Sequence, residues 1–234
     1  MNNMRVSVIQ FPGSNCDHDA FYASELQGWT PTMVWHKDTD LQNPDLVILP
    51  GGFSYGDYLR CGALAKFSPI VGEVIKFAHK GGLVIGICNG FQILTESGLL
   101  PGALLMNRSL QFICQHQYIK TMNSDTAFTC SIPQGKVMDI PIAHKEGNYY
   151  IDSDGLKRLE DEERIIFKYC DKEGNITEKA NPNGSLANIA GICSEKGNIL
   201  GMMPHPERAA EDIVVSHDGK AIFHSIAQFF ASHS

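Results

Sequence analysis

The amino-acid sequence predicts an α/β fold: a mostly parallel central sheet flanked by helices, joined to an additional region of antiparallel strands. Three observations predict it. Short unbroken apolar runs recur up to Gly98, each closed by Gly, Pro or a charged residue, which is how strands buried on both faces read. Segments with apolar residues at helical spacing lie between those runs, as crossovers between parallel strands require. Beyond Gly98-Leu99-Leu100-Pro101-Gly102 the pattern turns to strand-like segments with short polar turns between them.

In chain order, Met4–Phe11 is an apolar strand ended by Pro12-Gly13, and Asn15–Leu26 is a helix broken at Gly28. Strands follow at Thr32–Trp35 and Asp45–Pro50, then a helix at Pro69–His79 and a strand at Gly82–Ile87. Phe91 to Ser97 is again helical. The second half places strands around Gln111–Lys120, Thr126–Ser131, Lys136–Ala143 and Arg164–Cys170. Ser185–Cys193 and Asn198–Met203 form a hairpin about Glu195-Lys196-Gly197, and a helix from Gly219 to Ala231 closes the chain. With no internal repeat and no low-complexity linker, residues 1–234 read as a single domain.

Composition narrows the function classes. The 234 residues are 43% hydrophobic and carry a net charge of −7 with no basic run, which argues against a groove that tracks nucleic-acid phosphates. No apolar run reaches the ~20 residues that span a bilayer, and the amino terminus lacks the pattern of a secretory signal. The seven cysteines are odd in number and show no CxxC pair or Cys/His cluster. They read as reduced thiols of a cytoplasmic protein with no metal site.

One thiol stands apart. Gly86-Ile87-Cys88-Asn89-Gly90 joins a buried strand to a helix, the G-x-C-x-G form of a nucleophile elbow in which small neighbours permit a sharp turn. The unpaired N–H groups and dipole of the helix start favour an anion there and so raise the thiolate fraction. Cys61, beside Gly62, is a rival but follows no strand; the other five read as core.

A nucleophilic thiol needs a base and a group to orient it. Among nine histidines, His205-Pro206-Glu207 is the one packaged with both. Proline extends the residue before it and suits a helix start. Residues i and i+2 of an extended stretch project to one side, so Glu207 can hold one imidazole nitrogen while the other faces the thiol. A plain helix start with a dipole-favouring Glu is the alternative. His144, near Glu146, competes as base but lacks a proline and is read as site-lining; His18, His36, His79, His116, His217, His224 and His233 read as surface or turn residues. Pro50-Gly51-Gly52-Phe53 follows a strand, where backbone amides can turn inward. With the amide of Asn89, one from Gly52 or Phe53 would complete an oxyanion hole; a simple glycine turn is the other reading.

The elbow GICNGFQIL (Gly86–Leu94), the Gly-Gly loop and MPHPER (Met203–Arg208) resemble the triad-type class I glutamine amidotransferases, which have a flavodoxin-like fold. The longer motifs PGGFSYGDYLRCGALA (Pro50–Ala65), GLLPGALL (Gly98–Leu105), AHKEGNYY (Ala143–Tyr150) and GMMPHPERA (Gly201–Ala209) are similar to those of the glutaminase subunits of purine biosynthesis. The likeness departs at Lys145, where Gly is usual, and at Gln115, where a basic residue is usual. It implies that Cys88, His205 and Glu207 hydrolyse glutamine to glutamate and ammonia, with Gly52 and Asn89 amides at the oxyanion. It also implies that Gly51, Phe53, Gln92, Ser109 and Leu110 line the glutamine site. No phosphate-loop motif is present, so no cofactor is expected in this chain; ATP and Mg are expected on a large synthase subunit that, with a small accessory subunit, would be its partner. Low activity is expected of the chain alone. A stand-alone cysteine hydrolase, or a catalytically dead scaffold, are the rival readings; the scaffold is disfavoured because no triad residue is missing.

Overall fold

The computed structural model describes residues 3–211 and 213–233. Their elements run β1 (Arg5–Gln10), α1 (Asp17–Leu26), β2 (Thr30–Trp35), β3 (Leu46–Leu49), α2 (Pro69–His79), β4 (Leu83–Ile87), α3 (Asn89–Glu96), β5 (Ala103–Leu105), β6 (Ile113–Thr121), β7 (Val137–His144), β8 (Asn148–Tyr150), α4 (Ser153–Asp161), β9 (Ile165–Tyr169), β10 (Ile189–Cys193), β11 (Ile199–Met202) and α5 (Lys220–His233). Nine strands form one sheet in the order β2-β1-β3-β4-β11-β10-β9-β6-β7, and β5 pairs with β8 in a separate ribbon. From β2 to β11 the neighbours are parallel. From β11 to β7 they are antiparallel.

Burial follows that division. Every residue of β3 and β4 is buried, as for parallel strands covered on both faces, whereas β7 alternates buried and half-buried positions. Helix α2 buries Ile70, Val71, Val74 and Ala78 on one face and begins at Pro69, where a missing N–H costs nothing. Its flanking Ser68 does not cap the helix; the hydroxyl meets Tyr55 Oη at 2.9 Å.

Register fixes where the site lies. Leu49 of β3 pairs with Gly86 of β4, and Gly86 and Ile87 pair with Gly201 and Met202 of β11. Three parallel strands therefore end side by side, and Gly51-Gly52, Cys88 and His205 leave those ends together, where α/β sheets bind ligands. The antiparallel half folds back over them: the His205 N–H donates to Pro141 O of β7 at 2.8 Å.

Some expectations are corrected. Thr126–Ser131 is not a strand but a series of turns. The Thr126 carbonyl accepts from the N–H groups of Thr129 and Cys130, and its hydroxyl from Phe128 N–H, local bonds that compete with a ladder. Cys114 and Cys130 are exposed, not core. His36 is buried, its Nδ1 2.7 Å from Tyr55 Oη. The run from Ser185 enters β10 only at Ile189, after a short 3-10 turn with Ala187 and Asn188 at positive φ. The β5–β8 ribbon and α4 had no counterpart in the sequence reading. Asp152 caps α4, its carboxylate accepting from the Gly155 N–H at 2.7 Å.

Candidate active site

Cys88 stands between β4 and α3 with φ 50° and ψ −104°, a conformation that costs a non-glycine residue on the order of 1–3 kcal/mol. It is held from both sides: its N–H donates to Met202 O at 2.7 Å, and its carbonyl accepts from Phe91 and Gln92 N–H groups. Gly90 then passes against the Leu49 carbonyl, leaving no room for a side chain. The strain is thus paired with tight packing at the strand ends, as a nucleophile elbow requires.

His205 Nδ1 lies 2.6 Å from Glu207 Oε1, with both side chains buried. Burial opposes charge on the imidazole, but Glu207, Cys88 and Cys16 outweigh it and hold His205 well above the ordinary histidine value. Nε2 of the ring has no hydrogen-bond partner, and the Cys88 thiol donates instead to Ala143 O of β7 at 3.5 Å. His205 and Cys88 are neighbours, and both are almost fully covered, with 1% and 4% exposure. His144 is the contrasting imidazole: burial, then the neighbouring charge of His205, pushes it down to about 4. Its nitrogens face Asn107 and Asn183, so it lines the site from below as a neutral ring.

The oxyanion candidates also separate. The Phe53 N–H is engaged with Gly13 O at 2.9 Å, which leaves Gly52 as the amide for that role. Gly52 has φ 134° and approaches Asn15 so closely that any Cβ would stand 2.5 Å from its nitrogen. Asn89 N–H lies at the first position of α3, where no intrahelical acceptor exists.

A chain of amides ties the loops together. Ser54 N–H donates to Asn89 Oδ1 at 3.2 Å, Asn89 Nδ2 to Gln92 Oε1 at 2.8 Å, and Gln92 Nε2 to Glu146 O at 2.6 Å. Gln92 is therefore a buried strut beside the site. Ser109 and Leu110 stand on an outer loop, Leu110 65% exposed, and a Phe53–Phe112 ring pair at 6.2 Å draws that loop to the Gly51–Phe53 turn. Fully buried Asn107 anchors it: Nδ2 donates to Gln111 O and His144 O, and Oδ1 accepts from Gly147 N–H.

Sequence reasoning missed Asn107, Asn183 and Cys16. Asparagines in polar loops carry no spacing that marks them as buried. Cys16 was read as core, yet its Sγ accepts from Arg208 Nη2 at 3.1 Å and lies beside His205. Its place just after a central strand was the available signal. Cys61 is no rival to Cys88: burial, then Asp57 and Glu146, drives its thiol far up.

This fold and site define a glutamine amidotransferase domain, and residues 3–232 match the family model for a CobB/CobQ-like glutamine amidotransferase domain. The phosphoribosylformylglycinamidine synthase subunit PurQ of Koribacter versatilis is 55% identical over 95% of this chain and 97% of its own length. That of Moorella thermoacetica is 55% identical over 97% of both. A chain in the structure of PurLQS from Thermotoga maritima superposes with a TM-score of 0.86 at 43% identity, over 97% of this chain and 99% of that one. A putative GMP synthase subunit from Thermoplasma acidophilum, 15% identical with a TM-score of 0.59, shares the fold. The chain belongs to the PurQ family of glutamine amidotransferases.

Proposed function

We propose that this chain is the glutaminase subunit of a phosphoribosylformylglycinamidine synthase, hydrolysing glutamine through a Cys88 thioester. The observation that carries the mechanism is the convergence of Cys88, His205 and the Gly51-Gly52 turn at the ends of three adjacent parallel strands. Its relatives' names supply the synthase.

In the proposed sequence, His205 takes the Cys88 proton as Sγ attacks the carboxamide carbon of glutamine. The oxyanion that forms is held by the Asn89 and Gly52 amides. Collapse breaks the C–N bond; the nitrogen takes the proton from His205 and departs as ammonia. Water, deprotonated by His205, then attacks the thioester. The second tetrahedral species releases glutamate and restores Cys88. Glu207 fixes the imidazole tautomer and stabilises its cation throughout. Gly51, Phe53, Gln92, Ser109 and Leu110 border the space for the glutamine side chain and its amino-acid end.

The ammonia passes to a large ATP-binding synthase subunit, accompanied by a small accessory subunit, where it converts formylglycinamide ribonucleotide to the amidine with ATP and Mg consumed or held on that partner. Ammonia is a nucleophile only while unprotonated, so direct transfer serves the chemistry. The coverage of Cys88 and His205 supports low activity without the partner. Seven free cysteines fit a reducing cytoplasm, and among the described residues no helix is long and apolar enough to cross a membrane.

Cys88→Ala in the assembled complex tests the reading. Glutamine-driven synthesis should vanish while ammonia-driven synthesis survives; loss of both would refute it.

A further inference from the structure

Cys16 has no part in the hydrolysis above, yet it shares the buried pocket of the base. Its Sγ, a ring nitrogen of His205 and a carboxylate oxygen of Glu207 all lie within 4.8 Å of one another, and all three residues are buried. Two buried atoms of these residues make no hydrogen bond: His205 Nε2 and Glu207 Oε2, on side chains that are 2% and 0% exposed. Buried polar atoms without partners are uncommon and call for a ligand or a functional reason. Gly51 makes the cluster possible, since a Cβ there would stand 2.6 Å from His205 Cε1 and 3.2 Å from Cys16 Sγ.

We propose that Cys16, His205 and Glu207 form a site for a thiophilic divalent cation, Zn²⁺ above all, whose binding removes the base and switches the glutaminase off. A sulfur, an imidazole nitrogen and a carboxylate oxygen are the mixed donor set that borderline-soft Zn²⁺ takes, with three protein ligands and a fourth position for water. Bond lengths of about 2.0–2.3 Å place such ligands roughly 3.5 Å apart, so the wider separations close by up to about an ångström on binding, and the His205 Nδ1–Glu207 Oε1 bond at 2.6 Å opens to admit the ion.

The charges suit a dication. Cys16 loses its thiol proton on ligation and joins Glu207 as a second negative ligand. Arg208, which donates to Cys16 Sγ, is itself neutralised by Asp19, with Nε 3.0 Å from Oδ2. A ring nitrogen bonded to metal cannot accept the proton of Cys88. Metal binding rests on the geometry alone; its inhibitory effect rests on the glutaminase reading.

The test uses the full chain with the nucleophile removed, Cys88→Ala, and Co²⁺ as a visible substitute for Zn²⁺. A near-ultraviolet thiolate-to-cobalt band, displaced by Zn²⁺, is expected. It should be lost in Cys88→Ala/Cys16→Ser, a near-isosteric change whose folding is checked by circular dichroism. In the assembled complex, Cys16→Ser should raise the Zn²⁺ concentration for half-inhibition of glutamine hydrolysis by at least about 10-fold, measured against that variant's own metal-free rate. Absence of the band, its survival without Cys16, or unchanged Zn²⁺ sensitivity would each overturn the proposal. A band in Cys88→Ala, found beside an assembled wild-type complex that never hydrolyses glutamine, would instead refute the glutaminase reading and leave the metal site standing.

Discussion

The backbone of Gly90 runs so close to the carbonyl oxygen of Leu49 that no side-chain carbon fits between them. The start of α3 and the end of β3 are locked there, and the lock sets the turn on which Cys88 sits. Gly90→Ala must push α3 away from β3, at a cost of about 1–3 kcal/mol from overpacking, and glutaminase activity should fall with it. Urea unfolding and ammonia release measure the two effects. If both match the wild type, the elbow geometry is wrong.

Glu207 governs how His205 responds to pH. Burial lowers the imidazole, and Glu207, Cys88 and Cys16 raise it by more. A histidine raised in the folded state adds stability that is complete below its unfolded value of about 6.5 and is lost as pH climbs through the raised value. Glu207→Gln leaves burial to dominate, so the variant should lack that gain and weaken instead as pH falls below about 6.5. Its kcat should drop by about 10²–10⁴-fold. Parallel stability curves for the two proteins between about pH 6 and pH 9 would sink the coupling.

The thiols should sort by environment. A glutamine-analogue electrophile is expected on Cys88 alone, and a small general alkylating agent also on the exposed Cys114 and Cys130. Cys61 should stay unlabelled, its thiol pushed up by burial and by Asp57 and Glu146. Peptide mass mapping reads the pattern, and recovery of the analogue at Cys61 would overturn the choice of nucleophile.

Asn107 holds the outer loop with its whole side chain. Asn107→Ala strands the Gly147 N–H and two carbonyls, and about 1–3 kcal/mol is expected for each buried group left unpaired. Glutamine KM should rise more than kcat falls, because the proposed mechanism sets the loop beside the substrate and not the reacting atoms. Steady-state kinetics with the partner present, beside denaturant unfolding, separates the two; a pure kcat effect would contradict this placement.

Local signals in the sequence were read well where one residue type forces the outcome. Pro69 fixes the start of α2 and Gly81-Gly82 its end, and the helix spans Pro69–His79 in both accounts. His205 and Glu207 were legible because two residues of spacing suffice to define their contact. By contrast, α4 has only two apolar side chains, Leu156 and Leu159, among its nine residues, too few to mark a helix, and β5 and β8, three residues each, are too short to alternate visibly. The turns at Thr126–Ser131 resemble a strand in composition because threonines satisfy strand propensity and turn hydrogen bonding alike. Cys16 shows only its position after β1 in the sequence, because the residues that define its surroundings, Gly51, His205 and Arg208, lie far from it in the chain.

The folding back of the β6–β7 hairpin over the strand ends also bears on synthesis of the protein. In the proposed mechanism the nucleophile, Cys88, comes from the first half of the chain, its thiol partner Ala143 from β7, and the base, His205, from the segment that follows β11. A nascent or prematurely terminated polypeptide that stops short of His205 therefore carries the reactive cysteine without the group that arms it. Glutamine is safe from such fragments, because chemical competence arrives only when the last strand is laid into the sheet.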